Sequence, residues 1–223
     1  MLNKSVYVVA GGTSLNDFDF NKLRDKNVIA VNKSILDVPF AQRFITMDYT
    51  FIDHIGAKTD NKLTRDKFFQ IPCEKYFIVA TDNHYIRFRN GHYVDIRSNY
   101  QYNLEGFNHI ITSNKPAGIG GNFYEFVHGC NSGFAALQLA IILGYTEINL
   151  LGIDLYINDK THYHEGYREN KEKFEQRLKI YYDYYLLGIH NIRIKFPNVK
   201  LYSYSENSRL NSLISYKSLE EIQ

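Results

Sequence analysis

The sequence predicts an α/β fold: a single domain over residues 1–223 built on a mostly parallel sheet, with an inserted β-hairpin arm at about residues 84–98. Three observations carry this reading. Short β-rich apolar runs alternate with segments of helical pattern, as a parallel sheet with crossover connections requires. Nearly every run empties into polar residues, the arrangement of an interior strand that ends at a ligand-facing edge. Two alternating runs flank Asn90-Gly91, the strongest short hairpin signal available.

Taken in order, Val6 to Ala10 is the first strand, and Gly11-Gly12-Thr13-Ser14-Leu15 turns sharply out of it, offering backbone amides and two hydroxyls in a form that suits a phosphate. The turn lacks the third glycine of a dinucleotide fingerprint and the Gly-Lys-Ser/Thr of a P-loop, and an unliganded tight turn is an equal reading of it. Val28 to Val31 is a second strand ending at Asn32, and Arg43 to Met47 a third ending at Asp48. Residues 51–70 read as helical; Lys75 to Ala80 is a fourth strand ending in Thr81-Asp82-Asn83. Residues 98–120 show no period and read as a loop.

The central stretch runs from Asn131 to His164. Asn131-Ser132-Gly133 caps an apolar run that Gly144 closes, which predicts a buried helix over Ser132 to Leu143. Glu147 to Leu151 is an interior strand, and Gly152-Ile153-Asp154-Leu155-Tyr156 leads from it to His162 and His164. Asn131, Ser132, Asp154 and Tyr156 therefore fall on strand ends and helix starts, where ligands gather in α/β sheets. Arg168 to Leu187 is helical, with Phe174, Leu178, Tyr181, Tyr182 and Tyr185 forming a stripe expected in the core or at an oligomer contact. Val199 to Ser203 is a last strand, and Ser205 to Ser208 can cap a closing helix.

Composition narrows the function classes. A net charge of +2 gives no ground for a nucleic-acid partner and leaves room for peripheral membrane or anionic-substrate contacts. Cys73 and Cys130 make neither a disulfide framework nor a zinc motif and are expected to be reduced, buried thiols of a cytoplasmic protein. No apolar run reaches membrane-spanning length.

In the two blocks AGGTSLNDFDF, Ala10 to Phe20, and Asn131 to Tyr156, the chain resembles the bacterial sialyltransferases of glycosyltransferase family 42, within a wider set of folds that includes archaeal pterin diphosphokinases. The resemblance implies a Rossmann-like, GT-A-like fold. It implies a nucleotide-sugar donor, CMP-linked in that family, used as substrate with neither cofactor nor metal, and a glycan or other hydroxyl acceptor. It implies that Gly11, Gly12 and Ser14 cradle the phosphate, that Asn32 and Asp48 stand where two nucleotide-binding asparagines do, and that Ser132 and Gly133, after Asn131, lie beside the donor. Asp154 and Tyr156 would sit at the nucleotide and leaving phosphate, and Thr161-His162-Tyr163 is similar to a Ser-His-Tyr whose histidine is the general base. A homo-oligomer is also expected. The chain departs from the family in having Gly for the turn asparagine, Asp48 for an asparagine, and no lid between Tyr156 and His162. Three alternatives stand beside this reading: metal ligation by His162, His164 and Glu165; a diphosphokinase with magnesium on Asp48, Asp82 and Asp154; and a non-catalytic nucleotide-binding or structural protein.

Overall fold

The computed structural model describes residues 4–49, 51, 55, 59, 62–80, 86–89, 92–95, 100–101, 104–112, 118–157, 162–164 and 171–223. Among them lies an eight-stranded sheet whose seven pairings are all parallel. The strands are β1 (Ser5–Val9), β2 (Val28–Val31), β3 (Arg43–Thr46), β4 (Glu74–Ala80), β8 (Asn108–Thr112), β9 (Glu147–Leu151), β10 (Lys200–Ser203) and β11 (Ser215–Tyr216), in spatial order β11-β10-β9-β1-β2-β3-β4-β8. The chain steps outward from β1 through β2, β3, β4 and β8, then returns to pair β9 with the other side of β1. That reversal creates a crevice at the carboxyl ends of β1 and β9, where open α/β sheets bind ligands.

Both faces of the sheet are covered, which explains the unbroken apolar runs. On one face Val6, Val8, Ile29, Ile45 and Leu150 pack with α2 (Ser132–Ile142) and α3 (Lys171–Lys195). On the other, Val9, Ala30, Phe44, Phe77 and Leu151 pack with Leu15, Ile35 and Phe68, the last on α1 (Arg65–Gln70). Ser132 to Ile141 of α2 are all buried, since α3 covers the side that the sheet does not. α3 continues through Gly188 because the glycine lets the two helices approach: a Cβ there would meet Phe134 at 2.6 Å.

Four expectations are corrected, the first being that α3, expected to end at Leu187, runs on to Lys195. Residues 98–120 are not simply a loop, because β8 pairs with β4 at the sheet edge. Its mixed sequence, with Asn108 and His109 exposed and Ile110 buried, is that of a strand at the sheet edge, and it hid β8 from a search for apolar runs. The segment after Ser208 forms no α-helix: Ser208 caps a 3-10 turn at Arg209–Ser212, and β11 then extends the sheet. Cys130 is exposed and Cys73 half-buried, where both were expected to be buried. The hairpin arm is an antiparallel pair, β5 (Ile86–Arg89) and β6 (His92–Asp95), joined by a third strand β7 (Tyr100–Gln101); its Asn90-Gly91 tip lies outside the described residues, as do Asp82 and Glu165. No helix among the described residues is long and apolar enough to cross a membrane.

Candidate functional site

A cavity of about 300 Å³ opens at the β1–β9 crevice and gathers residues from six separate elements. After β1 come Gly11 and Gly12, after β2 Asn32, after β3 Asp48, and after β9 Asp154 and Tyr156. The start of α2 contributes Asn131, Ser132 and Gly133, and His162 reaches in from the loop ahead of α3. Of the sequence-predicted site residues only Ser14 is not in the wall.

Ser14 instead stands behind it. Its backbone N–H donates to Asp154 Oδ2 at 3.0 Å and its hydroxyl to Asp154 Oδ1 at 2.7 Å, so this buried carboxylate ties the β1 turn to the β9 turn. Gly12 is required by the same junction: a Cβ would meet the Asp154 carboxylate and the Gly152 carbonyl oxygen at 2.5 Å. The rest of the rim is fixed by local bonds. Thr46 donates its hydroxyl to Asn32 Oδ1 at 2.6 Å, the Met47 N–H donates to the Ser132 hydroxyl at 3.2 Å, and Asn131 caps α2 by accepting the Phe134 N–H at 3.0 Å. The Asp48 carboxylate accepts the Phe51 N–H at 3.2 Å. Backbone strain collects at the same place: Asn32, Cys130 and Leu155, with φ of 54°, 53° and 55°, are the non-glycine residues at positive φ among those described, and all three line the cavity. Such conformations persist where surrounding structure enforces them and cluster at functional sites.

His162 packs into this wall. A Cβ on Gly11 would lie 3.1 Å from its Cδ2, and its ring centroid is 5.2 Å from that of Phe174. Burial, reinforced by His164, Lys33 and Arg177, lowers its pKa from 6.5 to about 4, so the imidazole is neutral at pH 7. Burial, with Asp154 nearby, raises the Tyr156 phenol, which therefore keeps its proton for donation. His164 is directed elsewhere, with Nε2 3.1 Å from Asp37 Oδ2 though not aligned as a hydrogen bond.

Several wall residues were not foreseen. Lys33, only 2% exposed, and Arg177 bring two cations to the cavity. Phe174, Leu178 and Tyr181, read in the sequence as core or oligomer stripe, form the wall on the α3 side; of the same stripe Tyr185 is buried and the Tyr182 hydroxyl is 3.1 Å from that of Ser212. Lys33 could have been noticed as the neighbour of Asn32 at a strand end. Arg177 could have been noticed as the cation on a helix face that otherwise reads as buried.

No protein-family model and no curated protein matches the chain. Solved structures do. The sialyltransferase CST-II in complex with trisaccharide acceptor and CMP is 20% identical over 96% of this chain and 86% of that one, with a TM-score of 0.51. CstII from Campylobacter jejuni in complex with cytidine-5'-monophosphate is 19% identical over 97% and 86%, with a TM-score of 0.50. The monofunctional alpha-2,3-sialyltransferase Cst-I from Campylobacter jejuni is 14% identical over 97% and 81%, with a TM-score of 0.53. At these identities the likeness is one of fold: the chain has the Rossmann-like, GT-A-like architecture of these Campylobacter sialyltransferases, with its cavity at the switch point of that sheet.

Proposed function

We propose that the chain is a glycosyltransferase that moves a sugar from a nucleotide donor to an acceptor hydroxyl, by an inverting, metal-independent route with His162 as general base. The observation that carries this reading is the neutral His162 imidazole in the wall of a cavity that also holds Lys33, Arg177, the Gly11-Gly12 turn and the N-terminus of α2. Those four features favour an anionic ligand. The CMP bound to the fold neighbours, one of them also in complex with a trisaccharide acceptor, makes a CMP-linked donor such as CMP-sialic acid the first candidate.

In this reading the donor phosphate lies against the two cations and the glycine turn, and Tyr156 donates to the departing phosphate oxygen. His162 takes the acceptor proton as the new glycosidic bond forms and the sugar–phosphate bond breaks. A base with a pKa near 4 is weak, but two of the charges that depress it are Lys33 and Arg177. An anion bound to them offsets the part of the depression that these two cations cause and so raises His162, while the larger part, from burial, remains. α3, through Phe174, Leu178 and Tyr181, takes the enclosing part that a lid takes elsewhere.

The test is a thermal-shift series with CMP and with ATP, each with and without magnesium. CMP should stabilise the protein without magnesium, by about 2.7 kcal/mol at a hundred times its dissociation constant. Stabilisation by ATP and magnesium alone would point to the diphosphokinase, and none by either to a non-catalytic protein. A homo-oligomer goes with this reading, supported by Ile180, Leu187 and Ile194, which are exposed at seven-residue spacing on α3. Light scattering at 26.1 kDa would remove that part.

A further inference from the structure

The segment that carries His162 is held in part by a carboxylate that lies outside the cavity wall, that of Asp37. Tyr163 donates its backbone N–H to the Gly11 carbonyl at 3.1 Å and its hydroxyl to Asp37 Oδ2 at 2.8 Å. The same Oδ2 lies 3.1 Å from His164 Nε2. The rings of Tyr163 and His164 lie 4.0 Å apart, and Phe20 stacks on Tyr163 at 6.0 Å. Asp37 is itself well fixed. It follows the 3-10 turn Asn32–Leu36 and donates its N–H to the Ser34 carbonyl, while the Ser34 hydroxyl donates to the Val9 carbonyl on β1 at 2.7 Å.

We infer that Asp37 is the positioning residue for His162: through Tyr163 and His164 it sets the direction from which the imidazole meets the acceptor. Both neighbours of Tyr163 in the chain are histidines, one in the wall and one beside the carboxylate, so a rotation of residues 162–164 would carry His162 off Gly11. Asp37 also ends the turn that bears Asn32 and Lys33, both in the cavity wall, and so links the donor side of the cavity to the base side. This rests on His162 being the base. It adds a residue to which the motif resemblance assigns no part. A displacement of about 1 Å in a catalytic group can cost about a hundredfold in rate with little effect on binding, which sets the size of the effect to look for.

The experiment uses the full chain and four variants, Asp37→Ala, Asp37→Asn, Tyr163→Phe and the Asp37→Ala/Tyr163→Phe double, with His162→Ala run beside them. The first readout is independent of turnover: long-range 15N–1H correlations of the imidazole rings. Asp37→Ala should move or broaden the His162 ring signals and leave those of His190, on α3, unchanged. The second is the CMP dissociation constant, expected within about threefold of wild type, against single-turnover transfer from CMP-sialic acid, expected to fall about 10- to 100-fold. Asp37→Asn keeps an acceptor for the Tyr163 hydroxyl and should recover most of the loss. Tyr163→Phe should reproduce much of it, and the double variant should be no worse than the worse single. Unchanged His162 signals in Asp37→Ala overturn the inference, as do losses that multiply in the double variant. If His162→Ala transfers at the wild-type rate, the base assignment falls and the inference with it; if His162→Ala is inactive and Asp37→Ala is not, only the inference falls.

Discussion

His162 should leave a signature in the stability of the protein as well as in its chemistry. Its pKa is lowered from 6.5 to about 4, first by burial and then by His164, Lys33 and Arg177, so the unfolded chain takes up a proton in a range where the folded one resists it. This contribution is fully present above pH 6.5 and is lost as pH falls from there to about 4, amounting to about 3 kcal/mol at the acid end. Urea melts across that range should show the loss, and His162→Gln should flatten it; an equally steep curve in the variant would mean the imidazole is not in this environment. Lys33 makes a second residue-scale prediction. A buried cation paired with a phosphate loses about 1.5–3 kcal/mol when removed, so Lys33→Met, which keeps the stem, should weaken CMP binding about 10- to 100-fold. An unchanged dissociation constant from calorimetry would take Lys33 out of the donor site. Residues such as these were the least legible part of the sequence. Asn32, Asp48 and Asp154 stood out because they end apolar runs, whereas the use of Asp154 as a tie to Ser14 depends on two turns meeting across the β1–β9 crevice, which no local pattern reports.

At the scale of elements, the strands buried on both faces were readable and those buried on one were not. Val6 to Ala10 and Val28 to Val31 are apolar throughout, and Glu147 to Leu151 is apolar at three of five positions, because helices or turns cover both sides. β8 and β11, at the two edges of the sheet, carry mixed sequences, the first reading as loop and the second as part of a closing helix. α3 misled in the opposite sense: a glycine in a helical pattern suggests an end, yet Gly188 is there for the approach of α2. This can be measured. A side chain at Gly188 gains up to about 1 kcal/mol of helix propensity but overlaps the Phe134 ring, a conflict that typically costs 1–3 kcal/mol. Gly188→Val, where branching removes most of the propensity gain, should lower stability by about 2 kcal/mol in urea unfolding. No change would mean that the helices pack with more slack than a 2.6 Å separation between Cβ and ring allows.

At the scale of the whole molecule, the order of the strands places the site. Because β9 returns to the free side of β1, two glycine turns, Gly11-Gly12 and Gly152, meet at one crevice, and the start of α2 and His162 add to its wall. The central claim is that His162 acts there on an acceptor while the nucleotide is held by other groups. The most direct measurement is single-turnover transfer from CMP-sialic acid together with CMP affinity, for wild type, His162→Ala and His164→Ala. The account predicts a loss of about 10²- to 10⁴-fold in transfer for His162→Ala with CMP affinity within a few-fold of wild type, and a smaller loss for His164→Ala. Transfer at the wild-type rate by His162→Ala, or a larger loss in His164→Ala than in His162→Ala, would contradict it.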